Sequence, residues 1–175
     1  MKLAHVRVAG GGLVIHAWAS GLGVCALFVG DPPAEAVQPA ARPVEGIEIA
    51  AAEGSLEALA QALARYLEGG PLRWDGPLDL RGVGAFQRDV FDAVRAIPHG
   101  EIRRYRDVAG AVGRPRAVRA VGDALRRNPF PIVVPCHRVV AARDLGGYAA
   151  GVAAKRRLLA LEAGQRELPW EEGRG

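Results

Sequence analysis

Between residues 69 and 84 the chain reads GGPLRWDGPLDLRGVG, and that density of glycine and proline breaks any helix or central strand. The segment divides the sequence into parts with different periodicities. Before it, residues 12–29, GLVIHAWASGLGVCALFV, form two apolar, valine- and aromatic-rich runs around SGLG. They predict a β-hairpin, extended by LAHVRV on its N-terminal side. A Pro- and Ala-rich connector, DPPAEAVQPAARPVEG, follows. From Ser55, apolar residues at 56, 59, 63, 66 and 67 predict a helix, with Ser55 as N-cap and Gly69 as the stop.

After the break the pattern is mainly helical. FQRDVFDAVRAIPHGE puts Phe86, Val90, Phe91, Val94 and Ile97 on one helical face, closed by Pro98 and Gly100. YRDVAGAVG and AVRAVGDALRRN are two short helical stretches separated by RPR, and GVAAKRRLLALEAG is a helix ending at Gly164. The expected fold is α+β: a small N-terminal α/β module over residues 1–76, with a hairpin-containing sheet plus a helix, then a mainly helical domain over 77–168. A loose tail is expected over residues 169–175.

No apolar run reaches the length of a membrane span, and MKLAHVRVAGGG lacks the apolar core of a signal peptide. A cytoplasmic protein is therefore expected. Two cysteines are too few for a disulfide scaffold, and Cys25, Cys136 and the four histidines contain no CxxC or HxxxH spacing for zinc. No metal is expected.

The formal charge of +4 is modest, but it is concentrated. Arg103, Arg104, Arg106, Arg114, Arg116, Arg119, Arg126, Arg127 and Arg138 follow one another with few acids between them. Two short helices joined by a basic turn have the outline of a helix-turn-helix, whose arginines would meet phosphate. A packed helix pair with a solvated basic face fits the same pattern.

Cys25, in VCALFV, has no ionisable neighbour in sequence and reads as a packed small residue. Cys136 lies in PIVVPCHRVV, beside His137 and Arg138, and an imidazole and a cation favour the nucleophilic thiolate. Neighbours in a strand face opposite ways, so a Cys136–His137 contact needs a turn or a bridging water. Glu162 is a candidate to orient the imidazole.

Residues 78–163 resemble the O6-alkylguanine-DNA alkyltransferase family in LDLRG, FQRDVFDAVRAIPHGE, YRDVAGAVGRPRAVRAVGDALRRNP, PIVVPCHRVV, GGYAAG and KRRLLALEAG. The resemblance implies irreversible transfer of an alkyl group from guanine O6, and less efficiently from thymine O4, onto Cys136. His137, through a water and polarised by Glu162, would generate the thiolate, and Tyr105 would donate to the leaving base. Val139, Tyr148 and Ala149 would form the base pocket, and Asn128 would tie the recognition helix to the reactive turn. Arg119 would fill the place of a flipped base. Arg114, Arg116, Arg126 and Arg127 would contact the duplex, the second helix lying in the minor groove. The implied protein is a monomer without cofactor that acts on double-stranded DNA.

The chain departs from the family pattern at four places. GVGAFQ is about one residue longer than usual, Arg104 stands where a small hydroxyl residue is common, Asp123 replaces a small residue on the DNA helix, and Ala150 replaces a glycine. Three other readings remain. A non-catalytic lesion binder would lack the acceptor cysteine, and a helix-turn-helix regulator would want a dimerisation element. A Cys-His hydrolase would leave the arginines unexplained.

Overall fold

In a computed structural model of the chain, residues 4–32 and 49–164 are described, the side chains from residue 54 onward in the second stretch. The chain divides into two compact units, residues 1–82 with 129–131, and 83–128 with 132–175.

In the first unit, β1 (Ala4–Gly10), β2 (Leu13–Ser20) and β3 (Gly23–Val29) form an antiparallel sheet in the order β1-β2-β3. The expected hairpin and its N-terminal extension are both present. Helix α1 (Ile49–Leu67) packs on the sheet, with Leu59, Leu63 and Tyr66 fully buried. The expected apolar stripe is therefore the packing face, but the expected N-cap is not. Ser55 lies inside the helix, and its buried hydroxyl has no hydrogen-bond partner. The alanines ahead of it extend the helix at little cost, since alanine has the best helical propensity. The stop holds: Gly69 has φ +94, and its N–H donates to Tyr66 O at 2.9 Å.

Residues 77–79 lie beside β3, with Val24 N–H donating to Pro77 O at 2.9 Å and Asp79 N–H to Val24 O at 2.8 Å. The approach requires Gly23: its φ is +132, and a Cβ there would stand 2.3 Å from Pro77 O. Buried Asp79 accepts from the Ser20 hydroxyl at 2.7 Å and from Arg81 Nε at 2.8 Å.

In the second unit, α2 (Ala85–Arg95), α3 (Tyr105–Ala111) and α4 (Val118–Arg126) pack on one another. Val90, Phe91 and Val94 of α2 are buried, as are Val108 of α3 and Val121, Ala124 and Leu125 of α4. Ile97 is buried just beyond the end of α2, and the Phe86 ring lies under the Arg114 guanidinium, 5.3 Å from its centroid. Gly113, at φ +70, opens the turn from α3 to α4. Asp107 accepts from the Arg104 backbone N–H at 3.0 Å, which caps α3 despite the unusual residue at 104.

The unit also holds a small parallel pair, β4 (Arg103–Arg104) with β5 (Val139–Val140). Strands of two residues carry no readable alternation. The last helix, α5 (Val152–Ala163), is stopped by Gly164 at φ +59. No helix among the described residues is long and apolar enough to cross a membrane.

Candidate active site

The segment from Ile132 to Val140 is buried throughout. Pro135 removes a donor and fixes φ, and Cys136–Arg138 form a single 3-10 turn. The turn closes through Cys136 N–H to Val134 O at 2.7 Å and Arg138 N–H to Pro135 O at 2.9 Å. It lets adjacent side chains take different surroundings, which a strand would force onto opposite faces. Cys136 reaches a cavity, while His137 and Arg138 meet Glu162 of α5.

Glu162 gathers four donors. His137 Nε2 lies 2.7 Å from Oε1, Arg138 donates from Nε to Oε2 at 2.8 Å and from Nη2 to Oε1 at 3.0 Å, and Gly100 N–H reaches Oε2 at 3.2 Å. Burial alone raises the pKa of this carboxyl. The bonds from His137 and Arg138 outweigh burial and hold it well below the usual carboxylate range. An ionised carboxylate fixes the proton of His137 on Nε2, which leaves Nδ1 as the basic nitrogen. Burial lowers the imidazole pKa, against the raising effect of Glu162. His137 is thus a neutral base at neutral pH. Arg138 is not part of the exposed basic surface that its sequence position suggests; only 6% exposed, it also donates to Ile97 O at 2.6 Å.

Asn128, two residues beyond α4, donates from Nδ2 to Val134 O at 2.9 Å and to Cys136 Sγ at 3.2 Å. Its own N–H caps Leu125 O at 3.2 Å. One residue thus closes the helix and touches the thiol. Burial raises the Cys136 pKa, while the Asn128 donor and the charge of Lys155 lower it.

Cys136 opens onto a cavity of about 410 Å³ whose lining includes Tyr105, Arg119, Asp123, Arg126, Tyr148 and Ala149. That volume suits a small organic ligand. Tyr105 begins α3, and burial raises its phenol pKa. A Cβ on Gly146, which has φ +67, would stand 3.0 Å from the Tyr105 ring, so the close approach depends on glycine. The Tyr148 hydroxyl is buried without a hydrogen-bond partner, and its ring meets His137 edge-on at 6.5 Å. Asp123 stands in the cavity lining, 3.6 Å from Arg126.

Val139 and Asn128 do not line the cavity. Val139 is fully buried on β5, and its carbonyl accepts from Lys155 Nζ at 2.6 Å. Arg114, Arg116 and Arg127 are exposed outside the cavity. Lys155 is the feature that sequence reading passed over. It stands in the run KRR, yet it falls three, four and seven residues before buried Leu158, Leu159 and Glu162. That spacing shares one helical face. Among the described residues no group of three or more His, Cys, Asp or Glu side chains is placed to hold a metal.

The fold and cavity define a two-unit α+β protein whose second unit presents a buried thiol beside a carboxylate-oriented imidazole. Residues 85–164 match the family model described as 6-O-methylguanine DNA methyltransferase, DNA binding domain. The OGT of Mycobacterium tuberculosis, solved in complex with DNA, is similar at a TM-score of 0.73 and 32% identity, covering 91% of this chain and 92% of that one. The methylated-DNA–protein-cysteine methyltransferase of Mycolicibacterium paratuberculosis is 48% identical over 103 residues, 58% of this chain and 62% of that relative's length. Escherichia coli Ada, described as a bifunctional transcriptional activator and DNA repair enzyme, is 37% identical over 146 residues, 83% of this chain and 41% of its own length. The chain belongs to the O6-methylguanine-DNA methyltransferase family.

Proposed function

We propose that this protein repairs O6-methylguanine in double-stranded DNA by moving the methyl group irreversibly to Cys136, with O4-methylthymine a poorer substrate. The observation that carries the reading is a thiol opening onto the cavity beside a neutral imidazole whose Nε2 proton is fixed by Glu162. His137 Nδ1 takes the thiol proton through a water, and Glu162 stabilises the imidazolium. The thiolate attacks the methyl carbon; the S–C bond forms as the C–O6 bond breaks, and the electron pair stays with guanine. Tyr105 donates a proton to the leaving base.

The target base reaches the cavity only outside its stack. Arg119 fills the vacated place, and α4, as the second helix of a helix-turn-helix, lies in the minor groove. Arg114, Arg116, Arg126 and Arg127 meet phosphates. Ala149 supplies a backbone N–H to O6, Tyr148 walls the pocket, and Val139 and Asn128 support it from behind. The thioether product is stable, so each molecule turns over once, as a monomer without cofactor. The cytoplasm suits a repair protein of this kind.

Intact and peptide mass spectrometry after incubation with a duplex carrying one O6-methylguanine tests the reading, with Cys136→Ala as control. One methyl gained on the peptide containing Cys136, with guanine restored, is expected. Tight lesion binding without a mass gain would leave a damage-recognition protein. Binding that ignores the lesion would leave a regulator.

A further inference from the structure

Lys155 poses a problem that the Cys-His-Glu arrangement does not answer. Its side chain is fully buried on α5, yet its ammonium donates to two neutral carbonyls, Val139 O at 2.6 Å and Gly147 O at 3.3 Å. Its ammonium stands 5.9 Å from the centroid of the Tyr105 ring. Arg138, by contrast, is buried against a carboxylate. A buried ammonium held only by carbonyl oxygens is costly and needs an anion to offset it.

We propose that Lys155 is a positioning residue for the transfer reaction, its ammonium supplying the counter-charge of the Cys136 thiolate from a seat fixed by the Val139 and Gly147 carbonyls. The inference rests on the alkyl-transfer reading and adds the group that stabilises the nucleophile. When the Cys136 proton moves to His137, the site keeps its net charge and sorts into two pairs. The imidazolium faces Glu162, and the thiolate faces Lys155. Methyl transfer then turns the thiolate into a neutral thioether, and Lys155 loses its partner.

The titratable groups around Lys155 agree. Burial lowers its pKa to about 8, against raising contributions from Cys136 on the 3-10 turn and Asp144 on the following loop. The effect is reciprocal, since Lys155 lowers the pKa of Cys136 and of His137. Tyr105, on α3, is raised by burial and by Cys136 and Asp144. Proton-linked coupling of this kind acts equally in both directions.

The test uses the whole protein without DNA. Iodoacetamide labelling of Cys136, followed across pH and assigned by peptide mass spectrometry, gives the thiol midpoint in the native protein, Lys155→Met and Lys155→Arg. The expected result is a midpoint raised by about one pH unit in Lys155→Met, or about tenfold slower labelling at neutral pH, with Lys155→Arg close to native. An unchanged midpoint in Lys155→Met overturns the proposal, and so does an equal rise in both variants, which would assign Lys155 a spatial role only. If Lys155→Met does not fold, NMR titration of Lys155 in the native protein and in Cys136→Ser decides. A lower Lys155 midpoint without the thiol supports the pairing, and an identical midpoint overturns it. Because neither readout involves a lesion, failure of methyl transfer from DNA and failure of this pairing are separate results.

Discussion

Replacing Glu162 with glutamine keeps the side-chain shape and removes its charge. In the native protein each carboxylate oxygen accepts two donors: Oε1 serves His137 Nε2 and Arg138 Nη2, and Oε2 serves Arg138 Nε and Gly100 N–H. A glutamine offers one oxygen and one NH2, so either orientation of the amide turns a donor toward two donors. Arg138 keeps its bond to Ile97 O at 2.6 Å but loses its counter-ion in a site where it is 6% exposed. Removing one member of a buried ion pair costs about 3–5 kcal/mol, a large share of the roughly 5–15 kcal/mol that holds a typical domain together. Urea denaturation at neutral pH measures it as a lower midpoint at unchanged slope. The pH dependence has a definite sign. The Glu162 pKa is depressed in the folded state, so its contribution is fully present above the unfolded value near 4.3 and is lost as pH falls toward the folded value. The gap between native and Glu162→Gln proteins should therefore narrow only in acid. A variant within about 1 kcal/mol of native at neutral pH, or a gap that widens on acidification, would refute the role given to this carboxylate.

Asn128→Ala removes the donor to Val134 O and to Cys136 Sγ; stability should fall by about 1–3 kcal/mol, and the thiol midpoint should rise, both read on the free protein. Gly146→Ala forces a side chain onto φ +67 and against the Tyr105 ring, at a cost of about 1–2 kcal/mol from the backbone alone; unchanged thermal stability would contradict the close approach. Arg116→Ala should weaken duplex binding and reduce the salt slope by about one, as measured by fluorescence anisotropy across salt concentrations. Ser55→Ala should leave stability unchanged or slightly raised, because Ser55 lies within α1 rather than at its cap.

Long-period features were legible in the sequence, and close-range ones were not. The hairpin follows from apolar runs on either side of a turn, and α1 from Leu56, Leu59, Leu63, Tyr66 and Leu67, whose spacing is the packing face itself. The β4–β5 pair escapes because two residues, Arg103 and Arg104, show no alternation, and their partners Val139 and Val140 lie far along the chain. His5 and His16 give no motif in sequence, yet antiparallel registry stacks their rings 5.2 Å apart, with Trp18 against both. In the site, Cys136, His137 and Glu162 could be named from residue type and resemblance. The 3-10 turn that separates their surroundings could not. The partners of Arg138 and Lys155 stay hidden because sequence reports a charge but not the carboxylate or the carbonyls that receive it.

The carboxylate that organises the site lies on the last described helix, 25 residues after His137 and 62 after Gly100. On the ribosome, at about 5–20 residues per second, that separation is a delay of roughly one to five seconds between making the thiol and making its organiser. Throughout that interval the nascent chain carries Cys136 with no oriented base beside it. A chain stopped short of Glu162 therefore carries Cys136, His137 and Arg138 without the carboxylate that receives both of the last two.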